Sequence, residues 1–291
     1  MVLPCNDDIL ARAKSPFYIC AIFNLVLAVP TTLLNTSFIV AVLKSSDRAE
    51  PYQILMLNLA ITDLLTGIVS MPSQFISYLH NSHFKETCYS KVVAENITFF
   101  LGMASFFTVI AVTMERYTYV FHPFFYNEKL TSRFLTAMAG SIWLLSIALS
   151  VAYLFTGGSY LINTCIGVLA SALIFFCYTR IMLRARRVRR QIAAEAGRFG
   201  QLRMNKKDRN LVVVGGLIII SFFVCYAPTV LSNLFLAFGI RSHIFRGMYY
   251  WLLLLVLSNS FINPIISCTF NPRVRRKVIR IWSCGRKGRT H

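Results

Sequence analysis

The sequence predicts an all-α membrane protein, a bundle of seven transmembrane helices followed by a short amphipathic helix. First, 56% of the 291 residues are hydrophobic and only 14% are charged, a balance that soluble domains of this size rarely show. Second, the charged residues are confined to short stretches between long apolar runs. Third, these runs are about as long as the roughly 20 residues that an α-helix needs to cross the hydrocarbon core of a bilayer.

The apolar runs divide into seven helices. In chain order the runs are 15–43, 51–84 with Asp63 as its one charged residue, 96–114, 134–179, 210–240 and 247–272. The 134–179 run has 46 residues, too many for one helix, and the sequence Thr-Gly-Gly-Ser at 156–159 is typical of a turn. We therefore divide this run in two and number the predicted helices span one to span seven.

The basic residues predict the orientation of the chain. With the amino terminus outside, six of the thirty Lys and Arg lie on the outer side and twenty-four on the inner side, as the positive-inside rule favours. The net charge of +19 therefore indicates inner loops that face an anionic leaflet, and it does not indicate a nucleic-acid partner. We expect a multi-pass plasma-membrane protein with an extracellular tail over 1–16, the bundle over 17–270 and a basic cytoplasmic tail over 271–291. No cleavable signal peptide is expected, so span one would serve as its own signal-anchor.

Polar side chains inside the first three spans mark positions that need partners. Asn35 in span one is expected to bond to neighbouring helices. Asp63 in span two is a carboxyl in mid-membrane, where a charge costs a few kcal/mol and needs a partner or an ion; a protonated carboxyl hydrogen-bonded in the bundle is the alternative. Ser105 in span three lies roughly 16 Å along the helix axis from Arg116, at a depth that Asp63 could reach.

A charge cluster, Glu115-Arg116-Tyr117, ends span three. Arginine does not lose its proton, so Arg116 must find a partner where the helix leaves the lipid. The alternative is that the cluster only marks the membrane interface. Basic, helix-favouring sequence over 184–209 predicts that span five continues as a helix beyond the membrane.

Two prolines are expected to kink the last two spans. Pro228 in span six removes a backbone hydrogen bond and creates a pivot, with Asp208 at the inner end of the same helix. Pro264 in span seven follows Asn259, Ser260 and Asn263, whose side chains can satisfy freed backbone groups.

The sequence after span seven predicts an amphipathic helix on the inner leaflet. Val274, Val278, Ile281 and Trp282 share one helical face, with basic residues on the others. Cys284 follows as a candidate palmitoyl acceptor.

These positions together resemble the rhodopsin-like (class A) G-protein-coupled receptors along the whole chain. The matching residues are Asn35, 59–63, 115–117, Pro123, Trp143, Tyr178, Phe222, Cys225, Pro228 and 259–264. A short loop between spans four and five without the family's disulfide, Ala170 in place of the span-five proline and an acid at Glu95 make the chain similar to melanocortin-type receptors, and we describe its overall pattern as melanocortin- and adenosine-like.

The resemblance implies a receptor that binds an extracellular ligand and activates a heterotrimeric G protein when span six moves outward. It assigns the coupling and activation switch to Glu115, Arg116, Tyr117, Pro123, Phe124, Tyr178, Asp208, Phe222, Tyr226, Pro228, Asn263 and Pro264. It implies that Arg116 pairs with Glu115 and reaches Asp208 in the inactive state. It also implies an allosteric sodium site at Asp63, Ser105, Asn259, Ser260 and Asn263, and no other cofactor.

Several positions depart from the family pattern. Tyr226 stands where the family has its toggle tryptophan, and Ser267 where it has the tyrosine of Asn-Pro-x-x-Tyr, so a decoy or scaffold receptor with weak coupling is the alternative. Lys91 stands at the place of the outer disulfide cysteine. Cys165 lies too deep in span five to bond to Cys88, and a Cys5–Cys88 bond stays open. The remaining cysteines in the spans are interpreted as packing thiols: Cys20, Cys177, Cys225 and Cys268.

The ligand is only partly constrained. Thr98 stands where amine receptors have their acid, and span seven has no lysine for a retinal Schiff base, so both ligand classes are disfavoured. The pocket that the resemblance implies comprises Lys91, Glu95, Thr98, Phe99, Gly102, Met103, Thr229, Asn233, Tyr250 and Leu253. If Glu95 is free we expect a cationic peptide, and if it pairs with Lys91 a small lipid-like molecule. Neither transporter repeats nor a nucleophile–base pair occur in the sequence, so a transporter or an enzyme is not expected.

Overall fold

The structure, a computed structural model, describes residues 14–44, 51–83, 88–156, 160–195, 206–237, 243–270 and 272–287. Within these ranges it has seven helices that are long and apolar enough to cross a membrane. This finding confirms the predicted seven-span, all-α architecture.

The helices follow one another in the predicted order. Span one is α1 (Lys14–Leu43); span two comprises α2 (Pro51–Leu65), a π-helical turn (Thr66–Ser70) and α3 (Met71–His83); span three is α4 (Cys88–Phe121). A short helix, α5 (Pro123–Lys129), precedes span four, α6 (Ser132–Thr156); span five is α7 (Tyr160–Glu195), span six α8 (Lys206–Ala237), span seven α9 (His243–Phe270), and α10 (Pro272–Lys287) ends the described chain.

Two predicted boundaries are confirmed. Span four ends at Thr156 and span five begins at Tyr160, as the turn sequence predicts, while 157–159 lie outside the described residues. Span five continues to Glu195, well beyond its membrane-spanning segment Gly167–Arg184. The predicted helical extension is therefore present over 184–195, and 196–205 lie outside the described residues.

The π-helical turn in span two was not predicted from the sequence. A π-helical turn widens the helix locally and shifts the register of the side chains that follow it. At Gly67, within this turn, a β-carbon would lie 2.7 Å from Thr32 Oγ1 and 3.2 Å from Thr32 N of span one. The absence of a side chain at Gly67 therefore allows the backbones of spans one and two to approach closely.

A buried apolar cluster joins spans two, three, five and six. Its members are Leu59, Phe106, Val109, Ile174, Val214, Ile218, Ile219 and Phe222. Phe222 is 1% exposed, and its ring lies 5.4 Å from the ring of Phe106. Met103 of the predicted ligand pocket packs against this cluster, and the cluster ties span six to span three.

The helix α10 has the predicted amphipathic pattern, and the structure shows what part of its apolar face contacts. Val274 packs with Phe38 and Ala41 of span one, and Trp282 Nε1 donates a hydrogen bond of 3.1 Å to Ser37 Oγ. The helix is therefore anchored to span one. Other apolar side chains of the helix, such as Ile279, are half-exposed. The side chain of Cys284 lies outside the described residues.

Candidate functional site

A polar cluster centred on Asp63 lies inside the bundle between spans two and seven. Asp63 is 0% exposed, and its Oδ2 accepts a hydrogen bond of 2.8 Å from Asn263 Nδ2. The Ser260 side chain is a second hydrogen-bonding partner of the same carboxyl. Asn259 is also buried, and its Oδ1 accepts a hydrogen bond of 3.4 Å from Ser221 of span six. The structure therefore brings together span two and the polar run that precedes Pro264.

Three oxygens associated with this cluster have no hydrogen-bond partner among the described groups. They are Asp63 Oδ1, Ser105 Oγ and Asn263 Oδ1, and all three are buried. A buried polar atom without a partner costs roughly 1–3 kcal/mol. Carboxylate, hydroxyl and amide oxygens are the ligands that hard cations prefer. The donor set is thus chemically suited to a small cation such as sodium.

Asn35 connects span one to this cluster through a backbone group that Pro264 leaves free. Proline has no N–H, so the carbonyl of Ser260, four residues earlier, lacks its helical partner. Asn35 Nδ2 donates to that carbonyl at 3.0 Å and also to Thr31 O at 2.9 Å. The predicted role of Asn35 in bonding to a neighbouring helix is therefore observed as a direct contact with span seven.

Tyr226 packs against the apolar cluster and stacks on Phe222. Their ring centroids are 4.1 Å apart with an interplanar angle of 17°. The Tyr226 hydroxyl lies 4.0 Å from the position that a β-carbon on Gly102 of span three would take. The aromatic ring at the toggle position thus lies between span six and a residue of the predicted ligand pocket.

At the other polar site, Arg116 has the partner that the sequence required. Arg116 is 6% exposed, and its Nε lies 2.9 Å from Oε2 of Glu115, which is 2% exposed. The guanidinium carbon also lies 4.8 Å from the ring centroid of Tyr52 in span two. We refer to this part of the bundle as the Arg116 end.

Tyr126 in α5 is a further member of this site that sequence reasoning missed. Its hydroxyl donates a hydrogen bond of 2.8 Å to Glu115 Oε1, so Glu115 is held by Arg116 and Tyr126 together. Burial raises the pKa of the Tyr126 phenol above its ordinary value, and the neighbouring Glu115 carboxylate raises it further. The phenol therefore stays protonated and keeps donating. Pro123 at the start of α5 was the available signal, since proline favours the first turn of a helix.

The remaining switch residues differ in what surrounds them. Phe124 is 90% exposed at the start of α5, so its ring is accessible. Tyr178 of span five packs directly on Gly216 of span six. Tyr117 stacks on Phe121 at 4.6 Å. The Asp208 side chain lies outside the described residues.

The predicted ligand-pocket residues on span three make contacts with three neighbours. Lys91 Nζ lies 3.9 Å from Glu95 Oε1, so the two pair along the helix. The Thr98 hydroxyl is 2.6 Å from Ser70 Oγ and accepts a hydrogen bond of 2.9 Å from Gln74 Nε2. Phe99 stacks on Tyr153 of span four at 4.4 Å. Thr98 and Phe99 therefore hold spans two and four against span three.

The pocket residues on the other spans are placed as follows. Met103 packs against the apolar cluster, and Leu253 packs beside Met71 and Leu257. Thr229 Oγ1 is buried without a hydrogen-bond partner among the described groups, so it is a polar group available to a ligand. Asn233 is half-buried, and the side chain of Tyr250 lies outside the described residues.

The cysteines agree with the packing interpretation where they are described. Cys165 lies within span five as an exposed free thiol, so it is not bonded to Cys88. The other described thiols are also free: Cys20, Cys177 and Cys225 are buried and Cys268 is half-buried. Cys5 and the side chain of Cys88 lie outside the described residues.

Seven membrane-spanning helices around two buried polar sites define the class of protein as a polytopic membrane protein. The family described as "7 transmembrane receptor (rhodopsin family)" matches the chain over residues 34–164 and 157–266. The chain therefore belongs to the rhodopsin-like (class A) G-protein-coupled receptors.

Curated relatives agree with this assignment. The chain is 24% identical to the melatonin receptor type 1B of Rattus norvegicus over 282 residues, covering 87% of this chain and 75% of that receptor. It is 24% identical to the melanocortin receptor 5 of Rattus norvegicus over 272 residues, covering 89% and 83%. Melanocortin receptor 5 of Homo sapiens gives the same identity over 271 residues. The predicted likeness to melanocortin-type receptors is thus confirmed.

Proposed function

We propose that this receptor binds an extracellular ligand within the helix bundle and activates a heterotrimeric G protein from the plasma membrane. The observation that carries the proposal is the buried Arg116 at the end of span three. Arg116 forms an ion pair with Glu115, and Glu115 also accepts a hydrogen bond from Tyr126 of α5. A permanently charged group buried at the membrane boundary is costly to keep unless it has a function there. Among the described residues its ion-pair partner is the adjacent Glu115, which lies on the same helix. Span six can therefore move away from Arg116 without breaking an ion pair between helices of the described part of the chain.

The proposed orientation places the Arg116 end in the cytoplasm and the amino terminus outside. The distribution of basic residues supports it, because span five continues past the membrane as a basic helix on that side. The exposed Phe124 lies at the same end and would contact the G protein.

In the proposed mechanism the ligand acts by preferring an open arrangement of span six. Pro228 lies inside span six and supplies the pivot. Outward movement of the inner end would release Arg116 from span six, including its expected contact with Asp208, and open a cleft for the Gα subunit. A ligand shifts this equilibrium only by its difference in affinity for the two states.

The paired state of Glu95 supports a small lipid-like ligand in preference to a cationic peptide. Lys91 neutralises Glu95 along the helix, so the outer part of span three offers little net negative charge. The Thr229 hydroxyl, buried without a described partner, would provide one polar anchor in a mostly apolar pocket.

Sodium is proposed as an allosteric ligand of the Asp63 cluster. Asp63, Ser105, Asn259, Ser260 and Asn263 would hold it through their oxygens, which would also account for the unpartnered atoms. A bound cation there would link spans two, three and seven and would favour the arrangement in which these spans are close.

The second candidate function is a decoy or scaffold receptor with weak or no coupling. It is favoured by Ser267, a buried residue at 5% exposure, which stands where the family has a tyrosine. A serine is too short to reach Tyr178 as a phenol would when span six moves outward.

Basal G-protein activation in cells, measured across a panel of Gα subunits, tests the proposal. Wild-type receptor is compared with Arg116→Ala, and with Lys129→Ala as a basic residue at the same end whose ion pair is exposed. A basal signal that Arg116→Ala removes and Lys129→Ala keeps supports coupling through Arg116. Silence of all three at matched surface expression favours the decoy receptor, and a basal signal that appears once Ser267→Tyr and Tyr226→Trp are introduced would trace the lost coupling to these two positions.

A further inference from the structure

A cavity of about 470 Å³ lies at the Arg116 end, between span three and the extension of span five. It is lined by Phe121, Arg180, Leu183, Arg184 and Arg187. The guanidinium carbon of Arg180 lies 5.8 Å from the ring centroid of Phe121 and 5.8 Å from that of Phe176. Cation–π contacts of this kind hold Arg180 in place, and Arg184 and Arg187 extend the basic wall of the cavity opposite its apolar wall.

The cavity faces away from span six. Tyr178 marks the side of span five that contacts span six, because it packs on Gly216. With about 100° per residue, Arg180, Arg184 and Arg187 lie roughly 200°, 240° and 180° around the helix from Tyr178. The three arginines are therefore outside the cleft that opens when span six moves, and their side chains are exposed on the outer side of the bundle.

The depth of the cavity matches the boundary of the membrane. The apolar segment of span three ends at Phe121, and that of span five ends at Arg184. Arginine side chains at such a boundary place their charged ends at the level of the lipid headgroups. Phe121 and Leu183 then adjoin the beginning of the acyl chains.

The charge of the cavity is unbalanced within the described part of the chain. Ion pairs among the described side chains join Lys91 to Glu95, Arg116 to Glu115 and Lys129 to Glu128, and none involves the three arginines of the cavity. Guanidinium groups bind phosphate oxygens through two parallel hydrogen bonds in fork geometry, and such charge-assisted pairs are strong. The volume falls within the roughly 300–1,000 Å³ of small-molecule sites, which is more than a single phosphate requires.

We propose that this cavity is a binding site for an anionic membrane lipid whose headgroup carries more than one phosphate, as in a phosphatidylinositol bisphosphate. Arg180, Arg184 and Arg187 bind the phosphates, and Phe121 and Leu183 contact the glycerol and the upper acyl chains. The site does not depend on coupling to a G protein, because it lies outside the cleft below Arg116. The lipid would fix the span-five extension against span three.

Site-resolved photocrosslinking tests the proposal on the full-length receptor in nanodiscs. A phosphatidylinositol bisphosphate with a photoactivatable acyl chain is added to phosphatidylcholine discs, and chymotryptic peptides are mapped by mass spectrometry. The test variant is Arg184→Gln with Arg187→Gln, and the control with the same loss of charge is Lys129→Gln with Arg133→Gln. We expect labelling of the peptides around Phe121 and Leu183 to fall at least fivefold in the test variant and to stay within twofold in the control. Labelling of α10 provides the internal reference, and unchanged thermal unfolding confirms that each variant is folded.

Four results would overturn the proposal. Equal loss of labelling in test and control variants would show only general attraction of an anionic leaflet. Equal labelling by photoactivatable phosphatidylserine at the same density would show that multiple phosphates are not recognised. Full displacement by soluble inositol trisphosphate at the concentration of the lipid would identify a free phosphate compound, and not a membrane lipid, as the ligand. If labelling persists in the test variant while G-protein activation is lost, the arginines contact protein and the lipid assignment is wrong.

Discussion

The phenol of Tyr178 in span five occupies the position that a β-carbon on Gly216 of span six would take. One residue earlier, a β-carbon on Gly215 would lie 3.7 Å from Cγ of Arg116, an ordinary van der Waals distance. Two adjacent glycines thus place the backbone of span six against two residues assigned to the activation switch. Any side chain at Gly216 must displace Tyr178 or move the two helices apart.

Gly216→Ala is therefore expected to raise basal G-protein activation. Overpacking in a close-packed interior costs about 1–3 kcal/mol, and here the cost falls on the arrangement in which spans five and six are close. About 1.4 kcal/mol changes a two-state ratio tenfold, so basal activation should rise several-fold. The measurement is basal signal per receptor at the cell surface, for the Gα class identified with the wild type.

Two further variants identify the cause of such a rise. Gly215→Ala adds the same methyl group at an ordinary distance and should leave the basal signal near the wild-type level. Tyr178→Ala in the Gly216→Ala background removes the collision, so this double variant should signal no more than Tyr178→Ala alone. A wild-type basal signal from Gly216→Ala would show that Tyr178 turns aside without moving span six.

The sequence predicted the architecture because membrane insertion is governed by length and hydrophobicity. Seven spans and the helix α10 follow from the distribution of apolar and charged residues, and both are present in the described part of the chain. The Thr-Gly-Gly-Ser sequence divided the longest apolar run, and span four ends at Thr156 and span five begins at Tyr160. Asn35 and Asp63 were identifiable because a polar group in mid-membrane must have a partner. The structure supplied Ser260 O and Asn263 as those partners.

The contacts that were missed depend on packing that no local pattern specifies. Tyr126 is one of 13 tyrosines, and only the fold shows that its hydroxyl reaches Glu115. The π-helical turn at Gly67 and the packing of Tyr178 on Gly216 arise where two backbones approach. A glycine inside a helix indicates that another helix packs closely there, but the sequence does not show which helix it is.

Tyr126→Phe is expected to destabilise the receptor at neutral pH by about 1–2 kcal/mol, because Glu115 loses a hydrogen-bond donor in a buried site. This difference should shrink above pH 10. Burial and Glu115 raise the pKa of the folded phenol above its ordinary value of 10.0, so the unfolded chain loses its proton first. Wild-type stability then falls by up to about 1.4 kcal/mol per pH unit from this group, and the Phe variant lacks that loss. Thermal unfolding of both proteins from pH 7 to 11 measures the difference.

The matched control for Tyr126 is Tyr89→Phe, since Tyr89 is 77% exposed. That variant should follow the wild-type stability curve at every pH. If the stability difference between wild type and Tyr126→Phe stays constant up to pH 11, the raised pKa of Tyr126 is contradicted. If the two proteins are equally stable at neutral pH, the expected stabilisation by the hydrogen bond to Glu115 is contradicted.

Gly67→Ala is expected to lower the thermal midpoint of the purified receptor. The added methyl group would lie 3.2 Å from the Thr32 backbone N and 3.3 Å from Ala28 O, and backbone atoms cannot rotate away. Overpacking of this kind costs about 1–3 kcal/mol.

At Gly140 in span four nothing lies within 4 Å of an added β-carbon. Gly140→Ala should therefore leave the midpoint unchanged or raise it, since alanine favours a helix by roughly 0.5–1 kcal/mol. Equal effects at both sites would mean that spans one and two are not in close contact.

The Asp63 cluster predicts a stabilisation by sodium that can be measured without any ligand for the receptor. Asp63 Oδ1, Ser105 Oγ and Asn263 Oδ1 are buried without described partners, and a bound cation would satisfy them together. Binding to the folded state alone at about ten times the dissociation constant adds roughly 1.4 kcal/mol, or about 2–4 °C in the thermal midpoint of a protein of this size. Wild-type receptor in sodium chloride should therefore unfold at a higher temperature than in choline chloride of equal ionic strength.

Asp63→Asn should abolish the difference and Ser105→Ala should reduce it, while Ser146→Ala, at a buried serine of span four, should retain it. An unchanged sodium response in Asp63→Asn would place the cation elsewhere, and the unpartnered oxygens would then be satisfied by water.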